Sequence, residues 1–242
     1  TLCYTCRMKF DTLMFDADDT LFDFYSSGKK CFTETAREFG FDEDKIDYDL
    51  YSDINQKLWD EYSRGMLDKR SVLIGRYVEY GERQNIRFDA EQFQERYEDK
   101  LADTCILYPE TRPVLEKLKH DKYRIYIITN GVTRVQNNRL DLSGLRPLLD
   151  GIFISDEIGF AKPSDEYFAA VKKGVSDFDP KKTLIVGDSL VSDIPLGANN
   201  GIKTCRANYR RAGNPNNVFY DYEIFNLDEI FNVLNNNEGE DK

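Results

Sequence analysis

No apolar run in the sequence approaches the roughly 18 residues that a membrane-spanning helix needs, so no segment of it reads as a membrane span. Basic residues are outnumbered and nowhere clustered: 33 Lys and Arg stand against 44 Asp and Glu, a formal charge of −11. A protein that wraps a nucleic acid backbone needs a positive stripe, so a nucleic acid polymer is not an expected partner. A small anionic ligand held by a few local donors and a metal stays compatible with this balance. Nor is there an even set of cysteines. Cys3, Cys6, Cys31, Cys105 and Cys205 are scattered through a long chain, unlike the framework of a small secreted domain, and a reducing cytoplasmic setting is the expectation. Cys3 and Cys6 make a C-x-x-C with no second pair to complete a zinc site. They fall in residues 1–7, which lack the apolar core of a signal peptide; these and the acidic, Asn-rich residues 236–242 are expected to be flexible tails. The single histidine, His120, lies among charges at the expected end of a helix, where a surface or capping role suffices.

The 242 residues, 40% hydrophobic and 32% charged, suffice for one large domain or a core with a smaller second unit. Short apolar runs at 12–15, 124–128, 151–154, 183–186 and 202–205, with a late one at 218–220, alternate with helical patterns at 110–119, 134–142, 165–174 and 192–199. That alternation predicts an α/β fold, a Rossmann-like parallel sheet flanked by helices. Right-handed crossovers then bring the C-terminal ends of the strands to one edge, where ligands bind in open α/β sheets. One interval breaks the rhythm. Between the first two runs lie helical patterns at 27–39, 48–64, 69–80 and 90–103, where a crossover needs only one helix. The surplus predicts an inserted helical unit over 23–105, beside the edge where the first strand ends, with the sheet core formed by 8–22 and 106–235.

The first strand runs into "DADDT", three carboxylates within four positions, and packed carboxylates need a compensating cation. After the other strands come Thr129, Asn130 and Gly131, then Lys162, then Asp188 and Asp193. Each has a structural reading as a cap or turn residue. Together they place four carboxylates, a hydroxyl and a lysine at one sheet edge. That set suits phosphoryl transfer: a carboxylate attacks phosphorus, magnesium offsets the like charges, and lysine and hydroxyl donors meet the remaining phosphoryl oxygens. A second carboxylate two residues on points to the same side of an extended segment and can carry a proton.

In order, "DADDT", "ITNG", "AKPS" and "GDSLVSD" resemble the four motifs of the haloacid dehalogenase superfamily, and the helical insertion is similar to its type 1 (C1) cap. The resemblance implies Asp16 as nucleophile and Asp18 as general acid/base. It implies magnesium held by Asp16, Asp188 and the Asp18 backbone carbonyl, with Asp193 in the outer shell or bridging through water. Thr129, the Asn130 backbone N–H and Lys162 would bind phosphate, with Thr20 supporting the turn and Asp19 pointing away. Asp18 favours a phosphatase or phosphomutase over the dehalogenases, which lack it. The stretches "NQKLWDEYSRGMLDKRSVLIGRY", "TNGVTRVQNNRLDLSGL" and "GDSLVSDIPLGANNGIKTCRAN" resemble the pyrimidine 5′-nucleotidase subgroup, from which Ala17 and Arg206 depart.

The expectation is therefore a magnesium-dependent phosphomonoesterase acting on a small phosphorylated metabolite, foremost a nucleoside monophosphate, as a monomer or weak homo-oligomer. Another small-metabolite or sugar phosphatase, a phosphomutase, or less closely a haloacid dehalogenase or a receiver-type signalling domain are the alternatives. In the insertion, Trp59 can stack a base or serve as core with Leu58, Tyr62 and Met66; Asn55 and Arg76 there, and Gln136 in the core, can read a base or ribose or lie on a solvated helix face. Gly65 is expected to end the second inserted helix.

Overall fold

The computed structural model describes residues 9–235; the expected tails and the Cys3–Cys6 pair lie outside the described residues. Chain order is β1 (Thr12–Phe15), α1 (Phe24–Glu38), α2 (Tyr48–Ser63), α3 (Lys69–Gln84), α4 (Ala90–Ala102), α5 (Thr111–His120), β2 (Arg124–Thr129), α6 (Thr133–Ser143), β3 (Gly151–Ile154), α7 (Ser155–Ile158), α8 (Asp165–Gly174), β4 (Thr183–Gly187), α9 (Asp193–Asn199), β5 (Lys203–Ala207), β6 (Tyr222–Ile224) and α10 (Ile230–Asn235). The six strands pair in parallel in the order β3-β2-β1-β4-β5-β6. Strand order therefore reverses between β1 and β4, and a crevice opens at the carboxyl ends of those two strands.

The central strands are buried on both faces, which is why β1 and β4 are apolar almost throughout. The two-residue period divides β1 between two layers. Leu13 and Phe15 pack with Leu115 and Leu118 of α5 and Ile230 of α10; Met14 packs on the other face with Tyr167 and Val171 of α8 and Leu196 of α9. The anticipated strand at 218–220 instead forms at 222–224. The Val218 N–H is held in a turn by Asn214 Oδ1 at 2.9 Å, and the ladder to β5 begins at Tyr222 opposite Cys205. The sequence reading also missed the short α7 and the C-terminal α10. His120 is exposed at the end of α5 beside Asp121, as expected.

Helices α1 to α4 fill the interval between β1 and α5 and share an apolar cluster of their own. Each starts at an aspartate: the side chains of Asp23, Asp47, Asp68 and Asp89 accept hydrogen bonds from first-turn N–H groups of α1, α2, α3 and α4. These caps satisfy donors that a helix start leaves open. The Asp23 cap draws the start of α1 back from the expected Ser27 to Phe24. After α2 the chain turns at Gly65, φ +72°. Inside, Phe32 stacks on Tyr51 with ring centroids 4.3 Å apart and meets Tyr80 and Phe93 at 5.0 and 5.6 Å. The chain enters and leaves this unit side by side: Phe22 bridges Leu107, and the Asp23 N–H donates to the Ile106 carbonyl at 3.0 Å. No helix among the described residues is long and apolar enough to cross a membrane.

Because Phe32 is fully buried where four rings meet, Phe32→Ala should lower unfolding free energy by about 3–5 kcal/mol, read from urea denaturation.

Candidate active site

Asp16 follows the last residue of β1 and is tied to the sheet through its N–H, which donates to the Val186 carbonyl of β4 at 2.9 Å. The chain then leaves the sheet in a tight turn. The Leu21 and Phe22 N–H groups both donate to the Ala17 carbonyl at 2.9 Å, and Ala17 is fully buried at the turn's base. Asp19 takes the left-handed conformation, φ +55°, which Asp tolerates better than most residues. Asp19 is a turn residue, and its carboxylate is tied to neighbouring elements. It accepts from the Tyr25 N–H at 3.3 Å, Tyr108 OH at 3.3 Å and Arg210 at 3.2 Å, and so ties the turn to α1 and to the loop after β5. Thr20 supports the turn through its carbonyl, which accepts from Tyr209 OH at 3.2 Å, while its buried hydroxyl has no partner among the described residues.

Lys162, fully buried in the loop between α7 and α8, joins the strand ends. Its ammonium donates to Asp16 Oδ1 at 2.5 Å, Asp193 Oδ1 at 2.6 Å and the Ile128 carbonyl at 2.9 Å. An ammonium has three N–H groups, so all are committed to protein acceptors. Asn130 holds the Lys162 backbone from both sides: Oδ1 accepts its N–H at 2.8 Å and Nδ2 donates to its carbonyl at 3.1 Å. Thr129 is buried, and its Oγ1 accepts the Gly131 N–H at 3.0 Å.

Oxygens of Asp16, Asp188 and Asp193 lie within 4.8 Å of one another. Asp193 is fixed by Lys162 and by the Ser189 N–H at 3.2 Å, and its side chain packs so closely on Gly187 that a Cβ there would collide with it. Among the described residues no hydrogen-bond donor meets the Asp188 carboxylate. Burial first, then the neighbouring carboxylates, push Asp16 up to about 8 against the pull of Lys162, and raise Asp188 well above the usual range. Burial opposes the charge on Lys162, but Asp16 and Asp193 outweigh it and raise its pKa. When all three acids ionise, three carboxylates against one ammonium leave two negative charges, the charge of one divalent cation. The hard oxygen donors fit a magnesium ion.

The Asp18 side chain stands apart from that cluster. Its Oδ1 accepts from Arg139 at 2.5 Å and its Oδ2 from Gln136 Nε2 at 2.6 Å, both on α6. A cavity extends from these groups to the insertion and is walled there by Phe24, Asn55, Trp59, Leu73, Arg76 and Gln94. Trp59 is half-buried, edge-on to Tyr62, and both wall and packing element. Met66, expected to pack with it, is exposed. Arg76 is not on a solvated face. It is buried among the Tyr51, Tyr77 and Tyr97 rings and donates to Asn55 Oδ1 at 2.7 Å and Gln94 Oε1 at 2.6 Å. Gln136 is likewise buried.

The sequence profile of the haloacid dehalogenase-like hydrolases matches residues 10–201. The chain belongs to this family. Within the haloacid dehalogenase-like hydrolases it is 32% identical to the HAD-hydrolase YfnB of Bacillus subtilis strain 168 over 94% of this chain and 96% of YfnB. It is 30% identical to the pyrimidine 5′-nucleotidase YjjG of Escherichia coli K12, over 94% of this chain and 99% of that one. With the pyrimidine 5′-nucleotidase PynA of Streptococcus pneumoniae it shares 28% identity, over 95% and 97%. A crystal structure of YfnB bound to magnesium, described as revealing interdomain movement, matches with a TM-score of 0.86 and 31% identity, over 94% of this chain and 99% of YfnB.

The four motifs that marked the haloacid dehalogenase-like hydrolase family thus converge at the ends of β1, β2 and β4. Gln94 and Glu98 of the same cavity carried no motif and were missed, and Arg139, within the stretch "TNGVTRVQNNRLDLSGL", was given no role. For Arg139 and Gln136 the available signal was their spacing of three on one helix, one turn from Val135 and Leu140 of the apolar face.

Replacing Lys162 by Met leaves Asp16 and Asp193 buried without their shared cation. Lys162→Met should lower stability in EDTA by about 3–5 kcal/mol, read from urea unfolding, and magnesium should restore part of the loss.

Proposed function

We propose that the protein is a magnesium-dependent phosphomonoesterase that hydrolyses small phosphate esters through an aspartyl-phosphate on Asp16, with nucleoside 5′-monophosphates, pyrimidine ones foremost, as substrates. The observation that carries this reading is the placement of Asp16: held by Lys162, among an excess of carboxylates, at the sheet end of a cavity whose far walls are aromatic rings and amides. Residues 8–22 and 106–235 then serve as the catalytic core and residues 23–105 as a cap that closes over the ester. The free Cys31, Cys105 and Cys205 fit a reducing compartment such as the cytoplasm.

Asp16, Asp188 and Asp193, with the Asp18 carbonyl, are the groups that would hold magnesium. When bound, the ion supplies the positive charge that lets an ionised Asp16 and a phosphoryl dianion share one site. An Asp16 oxygen attacks phosphorus as the bond to the leaving oxygen breaks, and that oxygen takes a proton from Asp18. Asp18, now a carboxylate, takes a proton from water; the water oxygen attacks phosphorus, the bond to Asp16 breaks, and phosphate leaves. Lys162 acts as a fixed charge that orients Asp16, and Thr129 with the Asn130 N–H meets phosphoryl oxygens.

The insertion supports the nucleotide reading. Arg76 has only donors, so the oxygens of Asn55 and Gln94 must face it and their amino groups face elsewhere. The Gln94 amino group is taken by Glu98 at 2.8 Å, while none of the described residues accepts from that of Asn55. The cavity therefore offers an oriented amide donor beside the Trp59 ring, a pairing suited to a base edge and face.

Asp16→Asn should abolish magnesium-dependent release of phosphate from nucleotides and from 4-nitrophenyl phosphate with an unchanged circular dichroism spectrum; turnover near wild type would remove Asp16 as nucleophile. Ranking uridine, deoxyuridine, thymidine and purine monophosphates against sugar phosphates by kcat/KM tests the substrate class, and a sugar phosphate at the head of the ranking would overturn it. Trp59→Ala should raise KM for the preferred nucleotide about tenfold and leave 4-nitrophenyl phosphate nearly unaffected.

A further inference from the structure

Gln136 and Arg139 lie three residues apart on α6, so both reach the same side of that helix, and both are fully buried. Each takes one oxygen of Asp18, Arg139 Nη1 at 2.5 Å and Gln136 Nε2 at 2.6 Å. Among the described residues, Arg139 finds no other carboxylate, and its Nε and Nη2 have no hydrogen-bond partner. Its guanidinium instead lies against the Phe22 ring, 4.3 Å from the centroid, where the chain enters the insertion. A buried guanidinium with two bare nitrogens is poor material for stabilising a fold, since burial costs more than a single ion pair returns. Gly131 completes the arrangement: a Cβ there would strike the Gln136 side chain, so the glycine leaves the room that Gln136 occupies.

We propose that Gln136 and Arg139 are positioning residues that hold the Asp18 carboxyl group at two points, fixing its plane toward the leaving-group oxygen while Asp16 reacts. The proposal rests on the reading of Asp18 as proton carrier. Two fixed donors stop rotation about the last side-chain torsion, which for a carboxylate is otherwise broad. Each Asp18 oxygen keeps a second lone-pair site for the transferred proton, so holding does not block transfer. Both holders belong to α6, next to β2, and none to the insertion, so the orientation of Asp18 is set by the same unit that sets Asp16. The distance between nucleophile and proton carrier is thereby independent of the substrate in the cavity.

Phenyl phosphate and 4-nitrophenyl phosphate have similar shapes but leaving groups of different acidity, and kcat/KM reports only steps up to leaving-group departure. Their kcat/KM ratio reads proton delivery directly. In Gln136→Met and Arg139→Met the preference for the nitrophenyl ester should rise about tenfold over wild type, with Arg139→Lys intermediate, and with Asp18→Asn showing the largest rise. Gln136→Met removes a hydrogen bond whose donor is neutral and leaves Asp18 paired with Arg139, so it reads out even where Arg139→Met does not fold. A flat ratio in Asp18→Asn overturns both the proton-carrier reading and this inference. A raised ratio in Asp18→Asn with flat ratios in Gln136→Met and Arg139→Lys overturns this inference alone. Equal losses on both esters in those two variants likewise assign the pair to structure and overturn it.

Discussion

The Lys162 ammonium, buried and shared between two carboxylates and a main-chain carbonyl, is the constraint on which the site depends. It ties Asp16 after β1, Ile128 within β2 and Asp193 at the start of α9 to one point. The sheet sets the strands side by side, but hydrogen-bond ladders do not fix the loops beyond them. Lys162 does so, and Asn130 in turn fixes Lys162 by clasping its backbone on both sides. As carboxylates, the three acids gathered there exceed the single ammonium, and the proposed magnesium site rests on that excess.

Two polar groups are handled in opposite ways. Near the sheet, acids are in excess and a base is scarce. In the insertion a buried cation is the centre: Arg76 is enclosed by tyrosine rings and donates to the oxygens of Asn55 and Gln94 and to the Leu73 carbonyl. Amides that face a guanidinium have lost their freedom to flip, so their donors and acceptors are set before any ligand arrives. The aromatic cluster around Phe32 gives this network a rigid floor.

Much of this was legible in the sequence where period and motif agree. The apolar runs gave strands β1 to β5 because buried parallel strands are apolar on both faces, and Asp16, Lys162, Asp188 and Asp193 fell together because the topology collects strand ends on one edge. The strand at 222–224 was misplaced because Val218 to Tyr220 carry the right residue types while the Asn214 turn claims their backbone. Gln136 and Arg76 were read as surface residues because a polar side chain on a helix is usually solvated, and a lone sequence does not reveal which polar residue has a buried partner far away in the chain. Gln136 and Asp18 are 118 positions apart, beyond the reach of any local pattern. Arg206, a departure from the nucleotidase pattern, proves to be a buried strand residue paired with Glu223 at 3.2 Å and lying by the Tyr220 ring, outside the Asp16 cluster.

The paired crossings at Phe22–Leu107 and Asp23–Ile106 carry a further consequence. Since the chain departs and returns at adjacent points, the sheet's ladder closes without reference to what lies between them. The length, shape and lining of the intervening helices are free to drift while the spacing of Asp16 and Lys162 stays put. On the proposed reading, reaction and recognition sit on separate stretches of chain, so the insertion can be exchanged without moving Asp16 relative to Lys162.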